Sequence, residues 1–119
     1  MCSRRTRTAK SPVRSDASIG VLLADLHFPD TRSLKEKRGP LTSLRDVVQR
    51  RFKASFSEVG GQDTWQTSRV LVVLAASSPR QADEQLAQVD RYLHGLEFQV
   101  SRVLLRQVEV VESLWDTDS

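Results

Sequence analysis

The sequence predicts an α+β domain in which two helices cover one face of a four-stranded antiparallel sheet. Three observations predict it: four short apolar stretches suited to strands, two longer stretches with a helical apolar repeat, and their order, β-α-β-β-α-β. In that order, two right-handed β-α-β units joined by a hairpin place both helices on the same side of the sheet. A chain of 119 residues has room for one such domain.

The first strand is predicted at residues 19–28, IGVLLADLHF, and Pro29 with Asp30 ends it. Alternation puts Leu22, Ala24, Leu26 and Phe28 on one face, and Ile19, Val21, Leu23, Asp25 and His27 on the other. Both faces therefore carry aliphatic side chains, although the predicted helices cover only one of them.

The first helix is predicted to begin at Ser33, which forms an S-x-x-E capping box with Glu36. An apolar stripe follows at Leu34, Leu41, Leu44, Val48 and Phe52. Pro40 conflicts with a helix interior, where proline deletes a hydrogen bond and clashes with the preceding turn at a cost of about 3 kcal/mol. Either the main helix restarts near Pro40 or one helix kinks at Gly39-Pro40. We expect a kinked or broken start, because the capping box and Leu34 both fit a helix before the proline.

The second half of the chain repeats the pattern. A strand at 54–59 leads through Gly60-Gly61, which suit a hairpin loop, into a strongly apolar strand at 67–77. Ser78, Pro79 and Gln81 provide the cap, first position and capping box of a second helix. Its apolar stripe is Ala82, Leu86, Val89, Leu93 and Leu96, and a last strand lies within 99–111. These elements define the ferredoxin-like sandwich at 19–111, flanked by a disordered basic arm at 1–18 and a flexible acidic tail at 112–119.

The sheet face away from the helices is unusually apolar for a surface. It carries Ile19, Val21 and Leu23 from the first strand and further aliphatic residues from the third. Monomers rarely expose an aliphatic patch of this size, so we expect two chains to form a symmetric homodimer, packed sheet to sheet or joined across an edge. The alternative is that the arm or the tail covers this face.

The charge distribution is more informative than the net charge of +3. Residues 1–16 hold five cations and one carboxylate, residues 32–53 eight cations and two carboxylates, and residues 81–119 three cations and eight carboxylates.

The cations of the first helix and its flanks are predicted to bind nucleic acid: Arg32, Lys35, Lys37, Arg38, Arg45, Arg50, Arg51 and Lys53. Cations in the first turns oppose the helix macrodipole, which suggests that an external anion such as backbone phosphate contributes there. The first strand offers no ring but His27 for base stacking, so any RNA contact is expected through the helix and the arm.

No residue set indicates catalysis. His27 and Asp25 have no nucleophile at recognisable spacing, and the sequence contains neither a P-loop nor a GxGxxG motif. Two histidines and one cysteine do not suffice for a structural zinc site, so we expect no metal, no cofactor and no enzyme activity.

The expected location is cytoplasmic. Cys2 cannot form an intrachain disulfide, no membrane-length apolar run occurs, and no secretory signal is present.

Two motifs resemble a known family. SLKEKR after a strand ending in LHFP, followed by RFKASFSEVGGQDTWQ, is similar to the YlxP-like family of small bacterial proteins of unknown function. The resemblance covers about residues 19–110 and implies a ferredoxin-like fold. Family genes often lie beside those of a translation initiation factor and a ribosome-maturation factor, which implies a role near RNA. The chain departs from the family at Gly39-Pro40, where most members continue helically.

Residues of the hairpin motif are also interface candidates. Tryptophan is enriched at interfaces, and carboxylates beside a hairpin can pair with Arg69 or with a partner's cations. The predicted interface residues are Val21, Leu23, Glu58, Asp63, Trp65 and Gln66. The alternative for Trp65 is that it caps the edge of the sandwich.

The function expected from these observations is noncatalytic. We expect a dimeric protein that binds ribosomal RNA or a ribosomal subunit, with a link to ribosome maturation or translation, and that has no membrane partner. The alternative is a regulatory dimer that binds a small ligand, since the fold alone does not choose between them. A hydrolase of the acylphosphatase kind is the weakest alternative, because its glycine-rich loop and catalytic arginine are absent after the first strand.

Overall fold

A computed structural model describes residues 17–96 and 100–111. The predicted order of elements is confirmed: β1 (Ser18–His27), α1 (Leu34–Arg51), β2 (Ser55–Gly60), β3 (Thr67–Ala76), α2 (Pro79–His94) and β4 (Val100–Val110). β1 begins at Ser18, whose side chain is buried, so this residue belongs to the sheet and not to the predicted arm. Residues 1–16 and 112–119, which make up the rest of the predicted arm and the whole tail, lie outside the described residues.

The four strands form one antiparallel sheet in the order β2-β3-β1-β4. β1 and β3 are therefore central, as two right-handed crossovers require. Val21 pairs with Val73 of β3 and with Gln107 of β4, and this register fixes which side chains share a face. A bulge between Leu23 and Ala24 leaves Leu104 of β4 without a partner residue in β1.

The core lies between the sheet and the two helices. β1 contributes Leu22, Ala24, Leu26 and Phe28, as its alternation predicts, and α2 contributes Ala82, Leu86, Val89 and Leu93. From α1, Leu44, Val48 and the C-cap residue Phe52 are buried. The prediction that Leu34 belongs to this stripe is wrong, because 41% of its surface is exposed. The buried residue of the first turns is instead Lys37.

α1 is one helix from Leu34 to Arg51 with Pro40 inside it, so of the two expected forms, a kinked or a broken start, the broken one is wrong. The proline removes a single backbone donor, and Leu44 and Val48 anchor the following turns in the core. The caps are those predicted: the Glu36 N–H donates to Ser33 Oγ at 3.0 Å, and the Gln81 N–H donates to Ser78 Oγ at 3.1 Å. The return bonds start one residue earlier than in a standard capping box, since the N–H groups of Arg32 and Ser77 donate to the Glu36 and Gln81 side chains.

The second face of the sheet carries no helix or strand within the described part of the chain, and we call it the open face. At its centre lie aliphatic side chains that are half-buried or exposed: Ile19, Val21, Leu23, Leu71, Val73 and Leu105. None of the described helices is long and apolar enough to cross a bilayer.

Candidate nucleic-acid interface

The structure separates Lys37 from the other predicted nucleic-acid-binding residues. Only 3% of its surface is exposed. Its ammonium donates to Glu58 Oε2 at 3.2 Å, to the Gly61 carbonyl at 2.7 Å and to the Thr67 carbonyl at 3.0 Å. An ammonium has three protons, and all three are used here. The assignment of Lys37 to a phosphate-binding surface is therefore corrected: this residue is buried and bonded within the chain.

Glu58 completes the same arrangement. Its Oε2 accepts a second hydrogen bond, of 2.7 Å, from Ser68 Oγ, and the Ser68 side chain is buried. We call Lys37, Glu58, Gly61, Thr67 and Ser68 the Lys37 network; it links the first turns of α1 to both strands of the β2–β3 hairpin. Glu58 was expected to pair with Arg69 or with a partner chain. It pairs instead with Lys37, and Arg69 pairs with Asp25.

The hairpin loop is shaped to present its carbonyls to Lys37. Gly61 has φ +75°, and a Cβ there would lie 2.9 Å from the Thr67 carbonyl oxygen. Only glycine fits such a position without strain. The Thr64 hydroxyl lies 2.9 Å from each of the two loop carbonyls that Lys37 contacts. Thr64 therefore supports the loop from its solvent side.

A second set of bonds fixes the segment that precedes α1. Thr31 Oγ1 donates to the Trp65 carbonyl at 2.6 Å, and Gln66 Nε2 donates to the carbonyls of Pro29 and Thr31 at 3.2 and 3.1 Å. Gln66, an expected interface residue, thus has a role within the chain. Trp65 is 55% exposed, and Asp63 is also exposed on the same loop.

The remaining predicted cations are all exposed, and we call them the basic surface: Arg32, Lys35, Arg38, Arg45, Arg50, Arg51 and Lys53. Arg45 and Arg50 approach Asp46 at 4.0 Å, which is the longest distance that counts as an ion pair. Within residues 17–96 and 100–111, no member pairs with a carboxylate of the acidic second half. Among the described residues, Asp46 is therefore the ion-pair partner of two members, and the other five make no ion pair.

The basic surface includes a groove beside the edge strand. Arg38 and Arg45, two turns apart on α1, line it with Leu41, Thr42 and the β2 residues Phe56, Ser57 and Glu58. Its volume is about 280 Å³. β2 is an edge strand of the sheet, so the groove lies between α1, with its two arginines, and the edge of the sheet.

Arg51 has a different environment at the end of α1. Its guanidinium lies 5.1 Å from the centroid of the Phe52 ring and 5.8 Å from that of Tyr92 on α2. Cations over aromatic faces at such distances are attracted to the ring. Desolvation raises the pKa of Tyr92, and the positive charge of Arg51 opposes this. Arg51 therefore joins the two helices while remaining exposed.

An ion pair lies at one end of the open face. Arg69 donates to both carboxylate oxygens of Asp25, at 2.8 and 3.1 Å. These hydrogen bonds hold the pKa of Asp25 below its ordinary value and raise the pKa of Arg69, and the charge of Arg102 also lowers the pKa of Asp25. Val21 and Leu23, both expected interface residues, lie on the same face farther along β1.

Sequence reasoning did not identify Thr31, Thr64 and Ser68 as structural partners. The hydroxyls of Thr31 and Ser68 bond to Trp65 and Glu58, 34 and 10 residues away, so local spacing gives no signal for them. Thr64 bonds within its own loop, to Gly61 and Thr67, and its role depends on the position of Lys37. A signal did exist for Lys37. It lies seven residues before Leu44, in the helical phase of a core residue.

Two comparisons with known proteins identify a family. A family model described as a protein of unknown function, DUF503, matches residues 19–106. The uncharacterized protein YlxP of Bacillus subtilis (strain 168) is 35% identical over 88 residues, which cover 74% of this chain and 95% of that protein. The family-model match extends from β1 into β4, so it includes residues of all six elements and the whole Lys37 network. The chain therefore belongs to the YlxP-like, DUF503 family of proteins of unknown function.

Proposed function

We propose that this protein is a noncatalytic, cytoplasmic RNA-binding protein that associates with ribosomal RNA or a ribosomal subunit as a homodimer. The basic surface of α1 is the RNA contact, and it binds the phosphate backbone rather than base edges. The observation that carries the proposal is the exposure of seven cations of α1 and its flanks without ion pairs to the acidic second half. Lys37 has no part in the contact.

The position of these cations supports an external anion. Arg32, Lys35 and Arg38 lie at the start of α1, where the helix macrodipole is positive and cations are disfavoured. Glu36 is the only acidic residue of the first turn, and it accepts a bond from the Arg32 N–H. Phosphate groups bound at this end offset the repulsion between the cations and the helix dipole.

The groove supplies a geometry suited to phosphates. Arg38 and Arg45 border it from the same side of α1. They lie seven residues apart, which is about 10 Å along the helix axis. An arginine fork binds phosphate with two parallel hydrogen bonds, whereas a lysine acts as a point charge. We expect each of the two arginines to contact one phosphate of a single strand.

The test compares two double variants that remove the same charge. Arg38→Ala with Arg45→Ala removes the cations of the groove, and Arg80→Ala with Arg91→Ala removes two exposed arginines of α2. Filter binding to ribosomal RNA fragments is measured from low to high salt, together with cosedimentation with ribosomal subunits. We expect the groove variant to bind more weakly than the unchanged protein. The slope of log affinity against log salt should become less steep by about 1.5, since each of the two lost phosphate contacts contributes roughly 0.7–0.9 to its magnitude.

The α2 variant is expected to bind much as the unchanged protein does. Equal losses in the two variants contradict a specific role for α1 and leave only attraction by net charge. Absence of binding at low salt removes the proposal.

A further inference from the structure

The open face carries opposite charges at its two ends. The register places Asp25 between Arg69 of β3 and Arg102 of β4, and six residues earlier it places Ile19 opposite Glu109 of β4. Residues directly opposite in a sheet share a face, so all five belong to the open face. Six residues of strand span about 20 Å. Between these ends lies the aliphatic centre of the face.

Of the charged groups on the open face that have just been named, Arg102 and Glu109 are the two that can form an ion pair with a partner chain. Asp25 and Arg69 neutralise each other through two hydrogen bonds. Arg102 is exposed and makes no ion pair within the described residues. Glu109 accepts a bond from the neutral Gln107 side chain at the far end of the same strand. β4 thus presents one positive and one negative group on the open face, with Leu105, 42% exposed, between them.

A two-fold axis can stack two such faces in two simple ways. An axis parallel to the strands lays β4 over the partner's β2, whose open-face residues Ser55 and Ser57 carry no charge. An axis perpendicular to the strands lays β4 antiparallel over the partner's β4. In the second arrangement the positive end of each face meets the negative end of the other.

We propose that the occupant of the open face is a second copy of this chain, placed by the perpendicular axis, with Arg102 of each chain paired to the partner's Glu109. The axis passes near Leu105, which packs on the partner's Leu105, while Leu23 and Leu71 extend the apolar contact across β1 and β3. Symmetry gives two ion pairs at the ends of an apolar centre. This inference rests on the homodimer of the proposed function and adds its geometry.

The test uses charge reversal in single, mixed and double variants. In a homodimer of the Arg102→Glu variant, each new glutamate faces the partner's Glu109, which gives two pairs of negative charges. In a homodimer of the Glu109→Arg variant, each new arginine faces the partner's Arg102, which gives two pairs of positive charges. Sedimentation velocity should show about a tenfold or larger rise in the dimer dissociation constant for each, because like charges across an interface are strongly unfavourable. A mixture of the two single variants restores both ion pairs and should form a heterodimer. The variant with both changes restores them within a homodimer.

Recovery in the mixture and in the double variant also shows that the single variants are folded. If the single variants dimerise as well as the unchanged protein, the proposed axis is wrong but the homodimer stands. If the mixture of single variants shows no recovery of dimer, the proposed axis is likewise wrong. An unchanged protein that is a monomer at high micromolar concentration overturns the homodimer itself. RNA binding by that monomer is measured separately in the filter assay, so the failure of the dimer and the failure of RNA binding are distinguishable.

Discussion

Lys37 shows how a charged residue becomes part of a core. Its aliphatic stem occupies a helix position whose phase matches Leu44, and its ammonium reaches one carboxylate and two loop carbonyls. A lysine suits this place because the three acceptors surround a single point, whereas the arginine fork is planar. Without Lys37, Glu58 would keep only the bond from Ser68 and the two carbonyls only the Thr64 hydroxyl, and a partly buried carboxylate without a counter-charge is destabilising.

Replacement of Lys37 by methionine is expected to lower the free energy of unfolding by about 3 kcal/mol. Methionine keeps the stem but removes the counter-charge of Glu58 and one hydrogen bond from each of the two carbonyls, and loss of one partner of a buried ion pair costs at least about that much. Urea denaturation followed by circular dichroism measures the change. The matched control is Lys35→Met, two residues away on the exposed side of α1.

The control variant is expected to stay within about 0.5 kcal/mol of the unchanged protein, as most exposed substitutions do. Similar losses in both variants contradict the role of the Lys37 network. In that outcome the effect comes from helix propensity or net charge, which the two substitutions change alike.

At the scale of the element, α1 combines a strong cap with weak helix formers. Ser33 and Glu36 satisfy donors at its start, and Gly39-Pro40 follows within the second turn. The helix continues because one missing hydrogen bond costs less than exposing Leu44 and Val48 to water. The basic surface is therefore carried on a continuous helix, with Arg38 before the proline and Arg45 after it.

The same substitution at two glycines is expected to have opposite effects. A Cβ at Gly39 meets no atom within 4 Å other than those of its chain neighbours, and helix propensity favours alanine over glycine by about 1 kcal/mol. Because the new Cβ also crowds the Pro40 ring, Gly39→Ala should raise the free energy of unfolding by less than about 1 kcal/mol. Gly61→Ala should lower it by more than about 1 kcal/mol, because φ is +75° there and the Thr67 carbonyl blocks the new methyl group. Thermal and urea unfolding of the two variants measure both changes.

A loss of stability in Gly39→Ala contradicts this prediction and shows that crowding against the Pro40 ring outweighs helix propensity at this point of α1. If Gly61→Ala is neutral instead, the loop can adopt another conformation, and its carbonyls are not held in place by Lys37 as described. Each variant thus tests a different end of the contact between α1 and the hairpin.

In the molecule as a whole, the two faces of the sheet have different roles. The helices and the core lie on one face, and the open face is left for the proposed partner chain. When two open faces pack together, the two α1 helices lie on opposite outer sides of the dimer, separated by two sheets about 10 Å apart. A single short RNA strand cannot contact both basic surfaces at once.

We therefore expect one dimer to bind two short RNA oligonucleotides independently. Isothermal titration with a single-stranded oligonucleotide of about ten nucleotides should give a stoichiometry of one RNA per chain. The Arg102→Glu variant, if monomeric, should keep that stoichiometry and a similar affinity, because Arg102 lies on the open face and not on α1. A stoichiometry of one RNA per dimer contradicts this arrangement and indicates that both basic surfaces face a common site.

Local sequence patterns were sufficient to predict the elements and their order. Alternation in IGVLLADLHF, the serine caps at Ser33 and Ser78, and the stripe of α2 are local patterns whose physical causes lie within a few residues, and each is confirmed. Their order determined the sheet topology, because connection length and handedness leave few alternatives. The same patterns predicted an aliphatic open face, which follows from alternation alone.

The tertiary structure was needed to show which cations are exposed and which are buried. Lys35, Lys37 and Arg38 look alike as a run of charge, yet Glu58 and the loop carbonyls that claim Lys37 lie 21 to 30 residues away. It also decided that Pro40 remains inside one helix, because the anchoring contacts of α1 come from the sheet. Local sequence signals extend over one or two turns, whereas the pairing of a buried charge depends on groups that only the fold brings together.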